Sequence, residues 1–328
     1  MMSRSVSLDN HVNQGVILLG PLRKQWLRAY LSSWLFALVG GVSIAGTWAM
    51  AKNEPIVAWC VTGTVVLCMF LMMRRSTKKG ETLARSFNKW RAEAVTQIHA
   101  DAALDTNSYI DQSSFDASLL YRSVYNRYSG WNFIQLGNMK CSSLSVKHEY
   151  QETYYETETY TDSNGTSQTR QVQKTRTVVR PVFDGTMIEI PAPAPYPVTA
   201  ILQHPSHGLV KDLQKLRPES TFLLKNYAIS VSDQFAGHRM LTPSMQVDIE
   251  EFSRMFKYLP GYSYRGNRVY VCLPSFYLSY GDRPGKWRAI TTAKLIKVIE
   301  NCQKSIEFLE SITPRLIPDT DTHTLQAV

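Results

Sequence analysis

From Leu31 to Met50 the chain runs twenty residues without one ionisable side chain, and a second uncharged run extends from Pro55 to Met73. As helices rising about 1.5 Å per residue, each covers roughly the 30 Å of a bilayer's hydrocarbon core. Only Ala51, Lys52, Asn53 and Glu54 separate them, so the two helices must lie antiparallel. Core helices of soluble domains are usually shorter and carry a polar stripe. A cleaved leader would have a shorter apolar run and no second run straight after it. The expectation is a transmembrane helical hairpin, 31–50 and 55–73, after an N-terminal segment 1–30.

Charge gives the orientation. Arg4, Arg23, Lys24 and Arg28, against Asp9, precede the first run, and Arg74, Arg75, Lys78, Lys79, Arg85, Lys89 and Arg91, against Glu81, follow the second. These flanks contribute +3 and +6, the whole net charge of +9. The positive-inside rule places both termini in the cytoplasm, in a multi-pass membrane protein. Arg23, Lys24, Arg28, Arg74, Arg75, Lys78 and Lys79 are expected at the membrane surface. Anionic headgroups there attract each cation by about 1 kcal/mol. The rest of the chain is neutral overall, which argues against nucleic acid as a partner.

Trp26 and Tyr30 end the first run, and Trp48 and Trp59 flank the short loop, as interfacial belts require. Ser33, Ala37, Gly41 and Ala45 form a small-residue stripe on which another helix could pack closely. The expected neighbour is the second span of the same chain; the alternative is another protein or a second copy. Five cysteines without paired spacing fit a reducing compartment.

Residues 80–312 read as one cytoplasmic α+β domain, followed by a flexible tail, 313–328. Leu83, Phe87, Trp90, Ala94 and Ile98 share a face of a helix over 80–104, for core packing or for the bilayer surface. A helix is expected from Asp111 or Ser113 to Ser129-Gly130, then strands Trp131–Leu136 and Met139–His148. The stretch 150–180 is a long polar β-hairpin insertion, with Asn164-Gly165 as a strong turn signal. A two-residue turn there puts Glu156 and Glu158 opposite Gln173 and Gln171. Glu152, Tyr154 and Tyr160 then share that face, and Arg170, Lys174 and Arg176 lie on the other with Thr153, Tyr155, Thr157 and Thr159. Neither face is apolar, so the hairpin is an edge or a projecting arm. Tyr154, Glu156, Glu158, Tyr160, Arg170, Lys174 and Arg176 are its candidate interaction residues.

Further on, 181–185 and 187–190 suggest a short hairpin. Pro191, Pro193, Pro195 and Pro197 mark a linker, either a subdomain boundary or a loop across one domain. A strand is expected over Thr221–Val231, then a helix capped by Thr242-Pro243. A hairpin turning at Arg265-Gly266-Asn267 and a helix from Trp287 to Ser311 follow. Strands and helices mix without βαβ spacing, so the class is α+β.

Several weak motifs recur in order: Phe115-x-x-Ser118, Tyr125-Asn-Arg-Tyr128-Ser-Gly130, Phe183-Asp-Gly185, Ser230-Val-Ser232-Asp233, Met240-Leu-Thr-Pro243 and Gly266-Asn-Arg-Val-Tyr-Val271. In that order the chain resembles an uncharacterised bacterial membrane-protein family with a domain of unknown function. The resemblance covers roughly residues 80–280. It implies two N-terminal membrane helices joined to a cytoplasmic α+β domain, and it brings no catalytic residues.

No phosphate-binding, dinucleotide, zinc-protease or serine-nucleophile motif occurs, so no catalytic, cofactor or metal residue is assigned. His204-Pro-Ser-His207 lacks further ligands. Lys140 beside Cys141 could lower a thiol pKa, but no base is near it in sequence. Asp233, His238 and Arg239 form the most polar cluster at a strand end. There Asp233 is expected to cap a turn and Arg239 to pair with it. The leading reading is a non-enzymatic docking or scaffolding protein, with a protein partner in the membrane or cytoplasm or a second copy. The alternatives are a membrane-bound enzyme with its site near 232–239, and an oligomeric channel or transporter subunit.

Overall fold

The computed structural model describes residues 2–50, 55–161, 167–279 and 289–317. It is a mixed α+β structure of two compact units, residues 1–104 with 279–307, and residues 105–278 with 308–328. This division differs from the expected one, because 80–104 and the start of the last helix group with the apolar runs.

In the first unit, α1 (Met2–Met50) is one helix of 49 residues and α2 (Pro55–Ile98) one of 44. At 1.5 Å per residue, α1 is about 73 Å long. The two lie antiparallel along their whole length. Trp48 Nε1 donates to Thr62 Oγ1 at 3.2 Å and Ser33 Oγ to the Met72 carbonyl at 3.2 Å. Farther along, Trp26 abuts Gly80. Trp90 Nε1 donates to the His11 carbonyl at 3.1 Å, and the His11 ring, stacked on Trp90, reaches the Trp90 carbonyl at 3.0 Å.

The segment 1–30 is therefore not separate from the first apolar run. Val12 and Leu19 are buried and start a seam that repeats every seven residues through Trp26, Ser33 and Gly40. On α2, Met69, Ser76, Leu83 and Trp90 keep the same spacing. A seven-residue repeat holds one helix face against a partner, as in coiled coils. Leu83, Phe87, Trp90 and Ala94 are buried, so that face packs as a core. Ile98 is half-buried.

The small-residue stripe is only partly used. Ser33 is buried and Ala37 half-buried, but Gly41 and Ala45 are exposed. Gly40, whose Cβ would meet Val65 at 2.6 Å, makes the close contact instead. A spacing of four advances 400° at about 100° per residue, so it drifts off a fixed face by about 40° per step. The seven-residue seam drifts far less.

The last helix, α7 (Thr292–Leu316), begins in the first unit and ends in the second. Its stripe of Leu295, Val298, Cys302, Ile306 and Leu309 is buried as its periodicity predicts. The expected start at Trp287 lies outside the described residues, as does the tail beyond residue 317. The helix itself reaches Leu316, past the expected tail boundary.

β1 (Ala102–Asp105) leads into the second unit. That unit builds an antiparallel sheet from β2 (Arg127–Leu136), β3 (Met139–Thr161), β4 (Ser167–Pro191), β5 (Ala200–Gln203), β6 (Gln214–Lys215), β7 (Ala228–Val231), β8 (Gly261–Arg265) and β9 (Arg268–Pro274), in the order β2-β3-β4-β9-β8-β5-β7-β6. A core of Ile110, Phe115, Leu144, Phe183, Met187 and Cys272 packs on it. Gly266, at φ +57°, turns β8 into β9 as expected.

Other local expectations change. α3 is only Gln112–Ala117, and Leu119 at φ +58° ends it. Ser129 and Gly130 lie in β2, where a Cβ on Gly130 would meet the Ser143 carbonyl at 2.6 Å. Residues 181–190 form no hairpin, because β4 runs straight through them. The proline segment is a loop within one unit, held by Tyr196 N donating to the Gly266 carbonyl at 2.6 Å. The expected strand over Thr221–Val231 splits into α4 (Thr221–Asn226) and β7. Ser220 caps α4 by accepting from Leu223 N at 3.3 Å. α6 (Pro243–Arg254) starts where Thr242-Pro243 predicts, with Thr242 Oγ1 accepting from Met245 N at 3.3 Å.

Candidate functional site

The feature that stands out in the second unit is the outer half of the β3–β4 hairpin. At its base β3 is flanked by β2 as far as Lys147, and β4 by β9 from Gly185 onward. Between these limits β3 and β4 pair only with each other. From Lys147 to Thr161 this two-stranded ribbon extends about 45 Å at 3.3 Å per residue. Beyond Glu149, whose N–H and carbonyl are taken up by the Asn126 side chain, both its edges present unpaired backbone groups to solvent.

Its register differs by one residue from the expected one. At the base Leu144 faces Gly185, which continues the register of a two-residue turn at Asn164-Gly165. A bulge then intervenes: Val146 faces Phe183 and Lys147 faces Pro181, leaving Val182 as the extra residue. Beyond it Glu158 faces Arg170 and Glu152 faces Arg176. Asn164 and Gly165 lie outside the described residues.

A slip of one residue moves a whole strand's side chains to the other face. The seven candidate residues, split between two faces in the expected register, therefore come together on one. Lys174 Nζ lies 2.8 Å from both Glu156 and Glu158, Arg176 lies 2.8 Å from Glu152, and Arg170 lies 3.5 Å from Glu158. Arg170 also covers the Tyr160 ring at 5.4 Å and Arg176 the Tyr154 ring at 5.3 Å. The hydrogen bond from Lys174 holds the Glu158 carboxyl below its usual range, and the bond to Glu156 raises Lys174. All these groups face solvent, so the pairs set register more than they add stability. The opposite face pairs Thr153 with Thr175, Tyr155 with Gln173 and Thr157 with Gln171. From Gln151 outward this face is exposed and carries no charge.

The remaining candidates scatter. Asp233 caps α5 (Gln234–Met240), its Oδ1 accepting from Ala236 N at 2.7 Å. Arg239 does not pair with it; Arg239 lies over the Phe235 ring at 5.9 Å. His238 and Arg239 are exposed, so residues 232–239 form a capped helix start rather than a polar pocket. His204 Nδ1 contacts Ser206 Oγ at 2.7 Å, and burial lowers the His207 pKa. Among the described residues no three His, Cys, Asp or Glu side chains converge as metal ligands. Cys141 is fully buried, and burial drives its thiol pKa up rather than down.

A cavity of about 510 Å³ does exist elsewhere in this unit, lined by Tyr121, Phe183, Asp184, Gln203, His204 and His207 among others. Gln203 is 2% exposed; its Nε2 donates to the Gly208 carbonyl at 2.6 Å, while its Oε1 has no protein partner. No sequence motif marks this place, because its residues come from five separate segments.

In the first unit, α1 is long and apolar enough over Leu8–Trp48 to cross a membrane. Lys24, Arg28, Arg74, Arg75 and Lys78 are exposed and Lys79 half-buried. Arg23 is not a surface residue: it is 6% exposed and stacks over Trp26 at 4.3 Å.

No family model matches the chain, and no curated protein does. Among solved structures, the mycobacterial trehalose monomycolate transport factor A, TtfA, is similar over 71% of this chain and 97% of its own, at 10% identity and a TM-score of 0.28. So slight a likeness carries no argument about fold or function.

Proposed function

We propose that this chain is a membrane-anchored docking protein of a bacterial inner membrane, with α1 and α2 both crossing the bilayer and both termini cytoplasmic. The anchor reading is supported by large apolar side chains exposed on both helices of the hairpin. They include Leu31, Trp34, Leu35 and Leu38 on α1, and Val66, Leu67, Phe70 and Leu71 on α2. Water does not favour so continuous an apolar surface; lipid does. The docking reading rests on the ribbon. Its charged face is satisfied internally, which leaves the uncharged Thr/Gln/Tyr face and the two open edges to recognise a protein by strand addition.

The test is affinity purification of the membrane-extracted protein with and without residues 150–180. Partners lost with the deletion support the proposal. Partners retained in full shift recognition away from the ribbon. A second reading, a membrane-bound enzyme, is favoured by the cavity around Gln203, whose buried amide oxygen lacks a donor.

A further inference from the structure

A groove of about 690 Å³ runs between α1 and α2 where the apolar runs meet the basic flanks. Trp26, Tyr30 and Trp34 form one wall as a ring ladder, with centroid separations of 5.3 and 6.3 Å. Phe70 and Met73 form the other wall, and Ala37 lies along the apolar end. At the opposite end stand Arg74, Ser76 and Thr77. The groove thus has one greasy end and one cationic end, within the size range of small-molecule sites.

The charge around its polar end has no counterpart in the local chain. Between Asp9 and Glu81 the only acidic residue in the sequence is Glu54, twenty residues before Arg74. Glu81 itself pairs with Arg85 at 3.6 Å. Lys24, Arg28, Arg74, Arg75 and Lys78 are all exposed at this level. A helix from a second copy laid in the groove would cover Arg74 and bring these same cations against it, since identical chains repel there. A lipid with an anionic headgroup supplies what is missing. Its phosphate meets the cations beside the Trp26 and Tyr30 rings, which favour the interface, and one acyl chain lies along the apolar end.

We infer that this groove seats one anionic phospholipid per chain, with Arg74 at the headgroup and the Trp34–Ala37–Phe70 end around an acyl chain. The inference rests on the proposed membrane anchor. Seated there, the lipid would complete the inner end of the hairpin and tie it to anionic regions of the leaflet.

The test reconstitutes the full chain in nanodiscs of phosphatidylcholine and phosphatidylglycerol in equal parts. Native mass spectrometry then reads the lipid retained on release into detergent. The expected result is one phosphatidylglycerol retained in preference to phosphatidylcholine. Arg74→Gln should lower that preference about fivefold, the effect of one cationic contact at the surface, and Arg74→Lys should keep it. Ala37→Phe should fill the apolar end and abolish retention while the chain stays inserted. Equal retention of both lipids, or a preference unmoved by Arg74→Gln and Ala37→Phe, would overturn the inference. So would a stable dimer that Ala37→Phe disrupts, which would assign the groove to a second copy. Release of the chain from membranes by alkaline carbonate would instead refute the anchor itself, and is scored before any lipid is measured.

Discussion

At Gly185, β4 passes so close to β9 that an added Cβ would run into the Leu273 carbonyl oxygen and come within 3.0 Å of Ser275 N. Both neighbours are backbone, fixed by pairing on either side, with Leu144 across on β3 and Pro274 on β9. Neither can yield as a flexible side chain would. Gly185→Ala should therefore destabilise the second unit by about 1–3 kcal/mol. A lower denaturation midpoint would show it, and an unchanged one would mean that the strands stand farther apart. In sequence Asp184-Gly185 resembles a turn because the missing Cβ serves turns and close strand approach alike. Only the partner strand distinguishes the two. Cys141 makes a similar point about chemistry. Lys140 is its neighbour in sequence but points to the other face of the strand, so its charge cannot stabilise a thiolate. Burial pushes the Cys141 and Cys272 thiols up, and the thiolate is the reactive form. Iodoacetamide at about pH 8 should leave both unmodified in the folded protein and alkylate both in denaturant. Peptide mass spectrometry checks this, and rapid labelling in the native state would contradict the burial.

At the scale of elements, the ribbon and the helical hairpin depend on repeats that the sequence shows only in part. Alternation along 150–180 is plain, so a polar hairpin was legible. Its faces were not, because one bulge at Val182 exchanges them. That bulge is set by Val146 and Phe183 at the base of the ribbon, about twenty residues from the turn that by itself would fix the register. The observed register has a direct test. Thr157→Cys with Gln171→Cys places thiols directly opposite, within the Cα separations that disulfides accept, and should cross-link under mild oxidation. Thr157→Cys with Val172→Cys points the thiols to opposite faces and should not. The reverse outcome would restore the register of a two-residue turn, and with it an uncompensated charge on each face. In α1 and α2 the signal was present but mixed. Ser33, Gly40, Ser76 and Gly80 sit among Val12, Leu19, Leu83 and Trp90. A search for apolar periodicity passes over small polar members of a seam, although they let the backbones approach most closely.

Across the whole molecule, the α+β class was legible, and so was one apolar helix long enough to span a bilayer. The assignment of segments to units was not, because the division follows packing rather than composition. Residues 80–104 read as the opening of the cytoplasmic domain, yet Leu83, Phe87, Trp90 and Ala94 bury their side chains in the same unit as α1. The number of membrane crossings is the remaining point on which composition and function meet. If α1 and α2 both cross, the short link 51–54 faces the periplasm and the second unit stays with the N-terminus in the cytoplasm. The basic flanks at 23–28 and 74–79 favour that arrangement. If only α1 crosses, the C-terminus lies on the opposite side from the N-terminus. Alkaline phosphatase inserted at residue 52 and green fluorescent protein fused after Val328, each expressed in a bacterium, should both be active, since the first works only outside the cytoplasm and the second only inside. A dark C-terminal fusion together with an active phosphatase at the same terminus would leave a single crossing. It would also remove the cytoplasmic docking role, because the ribbon would then face the periplasm and any partner would have to be sought there.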